Sequence, residues 1–132
     1  MKLILTLAAI LIACLMPFSA MARDPYDADW NGDCRPDLAC MIQIRPAGKG
    51  AFRLTYIAII RGSGKTLCRA TGLLRRSKDI PGVLSGTFGP GQRQQIEVIR
   101  DSKRDAIHVT PSDNSPCGSP LAVGGLYDLM AH

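Results

Sequence analysis

The chain has 132 residues, with 16 Lys and Arg against 11 Asp and Glu for a formal net charge of +5, and all but four of its first 22 residues are apolar. The remainder is the size of one small domain, which argues against a two-domain enzyme. Its charge is unevenly spread: residues 23–44 carry two Arg and five Asp, residues 45–104 carry thirteen bases and three acids, and residues 105–132 carry three Asp and no Lys or Arg.

Residues 1–22 combine a cation at Lys2, an apolar stretch from Leu3 to Met16, a break at Pro17 and small residues at Ala20 and Ala22. That pattern reads as a secretory signal peptide cut after Ala22, leaving Arg23 first and implying a periplasmic or secreted protein. The apolar stretch is shorter than the roughly 20 residues a helix needs to cross a bilayer, so no transmembrane span is expected in the mature chain. The tetrad Leu11-Ile12-Ala13-Cys14 resembles the bacterial lipoprotein box, which implies a lipid anchor on Cys14 as the alternative.

Residues 23–38 are acidic and turn-rich, and read as an N-terminal arm laid against a single β domain of residues 39–132, with Trp30 as its anchor. Setting Cys14 aside leaves Cys34, Cys40, Cys68 and Cys117, an even set that in an exported chain implies two disulfides. Three connectivities are open to four cysteines, and the Pro36-Asp37 turn, which could bring 34 and 40 together, favours 34–40 with 68–117 among them. There is no C-x-x-C, and the histidines are only His108 and His132, so neither a metal site nor a cofactor is expected.

From residue 40 the pattern is short β-branched and aromatic runs punctuated by Gly and Pro. Residues 40–45 put Cys40, Ile42 and Ile44 on one face, and residues 52–60 do the same for Phe52, Leu54, Tyr56, Ala58 and Ile60. Ile57 and Ile59 make the far end of that second run apolar on both faces. Residues 66–74, 83–88, 94–100, 106–110 and 121–129 complete about seven strands with no convincing helix. The connections are hairpin-sized or slightly longer, so the expected fold is all-β: a disulfide-stabilised antiparallel meander closing as a barrel or sandwich. Gly124-Gly125, inside the last run, suggests a bulge or sharp bend.

In such a meander alternate turns emerge at one end. Those turns gather Arg45, Lys49, Arg75, Arg76, Lys78, Arg100, Lys103 and Arg104 against Asp79, Asp101 and Asp105, predicting an electropositive rim. Arg75, Arg76, Lys78, Arg100, Lys103 and Arg104 are its candidate binding residues. Export argues against a nucleic-acid partner, and six aromatics in the mature chain, several of them core, offer no stacking platform for bases. An anionic envelope component or an acidic protein partner fits better.

Catalytic chemistry finds little support. His108 falls on the face opposite Ile107 and Val109, and Asp105 and Asp128 have nothing to bring them together. Arg61-Gly62-Ser63-Gly64-Lys65-Thr66 lacks the spacing of a phosphate-binding P-loop and reads as a hairpin turn. A small secreted hydrolase is the weakest alternative, and no catalytic residue is assigned. Two fragments point to a different class. Leu84-Ser85-Gly86-Thr87-Phe88 resembles the serine-glycine-x-x-tyrosine signature of barrel-type periplasmic lysozyme inhibitors, with the aromatic one position early. The segment from Cys34 to Cys40 resembles a short disulfide-closed loop of another inhibitor type, without its histidine and at a different spacing. The resemblance covers these fragments alone, and implies as an alternative function a loop inserted into an enzyme cleft.

Overall fold

A computed structural model of the chain describes residues 24–130. The expected signal peptide, its expected cleavage site and Cys14 lie outside the described residues. Eight antiparallel strands close into a barrel: β1 (Ala28–Gly32), β2 (Leu38–Pro46), β3 (Ala51–Ile60), β4 (Thr66–Arg76), β5 (Val83–Phe88), β6 (Gln94–Asp101), β7 (Ala106–Pro111) and β8 (Gly125–Leu129). Each pairs with the next in chain order, and β8 returns to β1 through Trp30 opposite Leu129, Asn31 opposite Asp128 and Gly32 opposite Tyr127.

The strands follow from period-2 alternation. On β2, Leu38, Cys40, Ile42 and Ile44 are buried while the residues between them are partly open, and β4 alternates the same way from Cys68 to Leu74. The inward set fills the barrel with large side chains, among them Trp30, Tyr56, Tyr127 and Phe88, so the lumen is a packed core.

Two expectations about elements change. The acidic segment expected to lie as an arm supplies β1, the strand that closes the barrel, pairing with both β2 and β8. Its sequence, ADWNG, has only Trp30 to mark an inward face, so backbone pairing on both edges makes it a strand rather than its own alternation. The last run, expected as a strand from 121, begins pairing only at Gly125; residues 112–124 fold over one mouth, burying Leu121 and Val123. Gly125 takes φ 139°, which a side chain resists, where the chain turns from that loop into β8.

Where β4 and β5 cross, the backbones approach so closely that a Cβ on Gly86 would lie 1.9 Å from the Leu73 carbonyl oxygen. Glycine there lets the sheet coil tightly enough to close.

The two mouths are shut by different means. At the end holding the turns after β1, β3, β5 and β7, Cys34 bonds to Cys40 and Cys68 to Cys117, with Cα separations of 6.0 and 5.8 Å. The Tyr127 hydroxyl donates to the Val123 carbonyl at 2.6 Å and the Tyr56 hydroxyl to Cys40 Sγ at 3.4 Å. Burial pushes the Tyr56 phenol up to about 12 and Tyr127 higher still. The other mouth has no covalent closure among the described residues. Trp30 plugs it, its Nε1 donating to the Tyr26 carbonyl at 3.2 Å, and Arg100 lies over the indole at 5.0 Å.

Candidate functional site

The antiparallel meander sends the β2–β3, β4–β5 and β6–β7 turns to this second mouth, together with the chain entering β1 and leaving β8. All six predicted binding residues reach it. Arg75 and Arg76 end β4, Lys78 sits in the turn that follows, Arg100 is near the end of β6, and Lys103 and Arg104 form the next turn.

They divide into two groups. Arg76 pairs with Asp24 and stacks over Phe52, its guanidinium 5.2 Å from the ring centroid. Arg100 pairs with Asp105 at 3.0 Å and also donates to the Ala106 carbonyl at 3.1 Å, and Arg104 pairs with Asp128 at 2.7 Å. Arg45 pairs with Asp29 and lies 3.9 Å from Asp27. Beneath these pairs Tyr26 is buried against Phe52, and its hydroxyl donates to the Gly82 carbonyl in the β4–β5 turn. Residues 24–29 thus strap the mouth. The strongly positive rim expected from the turns alone is nearly balanced, with eight bases facing Asp24, Asp27, Asp29, Asp79, Asp101, Asp105 and Asp128.

The rim is divided by which of its cations stay uncommitted. Among the described residues Arg61, Lys65, Arg69 and Arg93 away from the rim form no ion pair, and at the rim neither do Lys49, Arg53, Arg75, Lys78 and Lys103. Four of these five cluster on the β3–β4 side, where Arg75 faces Ala51 and Arg53 faces Leu73 across the ladder, with Lys49 and Lys78 in the adjoining turns. Asp79 is the acid nearest them in sequence. The β4–β5 turn is held by Ser77, whose hydroxyl oxygen accepts the amides of Asp79 and Ile80 at 3.3 and 3.2 Å and whose own amide donates to Val83 at 2.8 Å. At its tip Ile80 is 57% exposed, and Leu73, beside Arg53, is 42% exposed.

No known protein family, curated protein or solved structure matches this chain. The remaining candidates are therefore weighed on geometry. His108 projects outward from β7, its Nε2 3.7 Å from the Asp101 carboxylate, which is held below the usual range first by the Lys103 backbone amide and then by His108, against a desolvation that pushes it up. Asp105 and Asp128 are engaged by different arginines. Residues 61–65 are the β3–β4 hairpin turn, with the Gly64 amide donating to Ile60 at 3.0 Å. The Ser85-Gly86-Thr87 segment lies within β5, paired on both sides. Among the described residues no three His, Cys, Asp or Glu side chains gather as metal ligands, and no helix is long and apolar enough to cross a membrane.

One feature gave no sequence signal. The outer wall of β5–β7 is hollowed by about 550 Å³ between Ser85, Thr87, Gln95, Thr110 and Ser112 around Glu97, the chain's only glutamate. Its hydroxyls and amides are what any solvent-facing strand carries, so alternation alone could not single them out. It holds none of the rim residues. Arg53 was also missed: it reads as an ordinary outward strand residue until the register sets it beside Leu73 and the unpaired bases.

Proposed function

We propose that this is an exported, non-catalytic binding protein of the bacterial cell envelope, which holds an anionic envelope component or an acidic protein face against the β3–β4 side of its basic rim. The observation that carries the reading is the split among the rim bases: Arg45, Arg76, Arg100 and Arg104 are each paired internally, whereas Lys49, Arg53, Arg75 and Lys78 are not. A cation already paired to its own chain gives up one partner to gain another, so an incoming anion gains most from the unpaired set. The packed lumen directs binding to the outside. Export is supported by the two disulfides, which persist in oxidising compartments.

The test uses residues 23–132, which contain every described strand and both disulfides, immobilised and exposed to envelope extract at low and high salt. A partner retained at low salt and released at high salt by the native protein, and not retained once Lys49, Arg53, Arg75 and Lys78 are changed to Gln, supports the reading. Retention that survives both treatments, or inhibition of lysozyme by the same preparation, overturns it in favour of shape-complementary contact elsewhere on the barrel.

A further inference from the structure

Five large apolar side chains stand exposed among the described residues, and two of them, Leu73 and Ile80, belong to the cluster of unpaired cations. Ile80 is the more exposed, at 57%. It sits at the tip of a turn braced three ways: by the Ser77 hydroxyl, by the Ser77–Val83 backbone bond, and by Tyr26 reaching across to the Gly82 carbonyl. A rigid turn presents this isoleucine with its ordering cost already met by the fold. Folding gains nothing from an aliphatic tip in water, and the chain has polar residues at other turn tips, such as Ser63 and Lys103.

Cations around a protruding aliphatic residue form an interfacial anchor: the bases meet phosphates at the headgroup level while the apolar tip enters the acyl boundary. A soluble polyanion would use the bases and leave Ile80 in water. We infer that the rim docks on an anionic lipid surface, with Lys49, Arg53, Arg75 and Lys78 against headgroup phosphates, Ile80 inserted between lipids and Leu73 at the shallower edge of the contact. The inference rests on the rim reading above and names its ligand. In this pose the disulfide-closed mouth points away from the membrane.

Sedimentation of residues 23–132 with phosphatidylcholine vesicles, with and without phosphatidylglycerol, tests it, with soluble polyphosphate as competitor. Binding is expected only to the anionic vesicles. Ile80→Ser should weaken it about tenfold and Leu73→Ser less, since a partly inserted aliphatic side chain gains part of its full transfer free energy. Each base changed to Gln should weaken it about fivefold. Ile80→Trp, a change at an exposed site, adds an indole whose emission should shift to the blue on anionic vesicles. No vesicle binding, or binding that Ile80→Ser leaves unchanged, overturns lipid insertion. If salt-sensitive binding to polyphosphate or to an acidic protein then survives and needs the four bases, the rim reading stands without lipid. Vesicle binding indifferent to the four bases overturns the rim reading itself.

Discussion

The two mouths of this barrel solve one problem with different chemistry. The mouth holding Cys34–Cys40, Cys68–Cys117 and the 112–124 loop is closed by covalent bonds and by Leu121, Val123 and Tyr127, with few charges committed. The other is closed by Trp30 and Tyr26 beneath a layer of Arg–Asp pairs. Covalent and apolar closure is insensitive to salt, whereas exposed ion pairs are screened by it. Cross-links at one end leave the other free to carry charge, and there the acidic strap neutralises one side of the rim and leaves the β3–β4 side open.

The contrast can be broken most severely at its aromatic plug. Trp30 is fully buried under Arg100, and Trp30→Ala should cost about 3–5 kcal/mol in a denaturant titration. A loss below ~1 kcal/mol would mean that the strap closes the mouth without it. At the opposite mouth the two disulfides separate by span. Cys68–Cys117 spans 49 positions and Cys34–Cys40 spans 6, so replacing each pair by Ser should cost roughly 4 and 2 kcal/mol respectively. Equal costs would argue that strain rather than loop entropy sets their contributions.

Alkali should act through the tyrosines that close both ends. Tyr56 is raised by burial to about 12, and Tyr26 and Tyr127 are raised too, so each phenol ionises more easily in the unfolded chain. Stability that depends on a raised pKa is whole below the unfolded value near 10 and is lost as pH climbs through the folded value. Between pH 10 and 12 the protein should lose up to about 2 kcal/mol through Tyr56 alone, and phenolate absorbance should rise together with unfolding. Phenolate formation in a still-folded protein at pH 10 would contradict the burial argument. The smallest effect belongs to the strap's charges. Asp24→Asn should cost under ~1 kcal/mol, because the partner Arg76 is half exposed, but it should release Arg76 and tighten binding of an anion at the rim. Weaker binding would show that Asp24 positions the rim rather than competing for it.

Much of the architecture was legible because alternation is a strong signal wherever one face is core. Residues 40–45 and 52–60 announce their inward faces unaided, and the Pro-Asp turn between Cys34 and Cys40 anticipates their bond. β1 was harder, since a five-residue strand with one apolar anchor looks like an acidic arm until both its neighbours exist. The rim residues were gathered correctly by turn parity, but their pairing was not readable: the segment carrying the balancing acids lies some fifty residues from Arg76 and a hundred from Asp128, and only barrel closure brings Asp24, Asp29 and Asp128 to the same mouth. Residues 23–44 already differed in sign from 45–104, and that opposition was the available hint. The β5–β7 hollow depends on how the strands curve, which no residue type encodes.

The most direct test compares two variants of equal charge, Lys49→Gln/Arg75→Gln/Lys78→Gln on the unpaired side of the rim and Lys65→Gln/Arg69→Gln/Arg93→Gln, which remove three exposed bases elsewhere on the barrel. Both are assayed for association with pelleted bacterial envelope membranes. The account predicts a loss of about 100-fold for the first, near fivefold per base, and no more than about twofold for the second. Equal losses would mean that net charge alone draws the protein to the membrane, and would contradict a binding site on the rim.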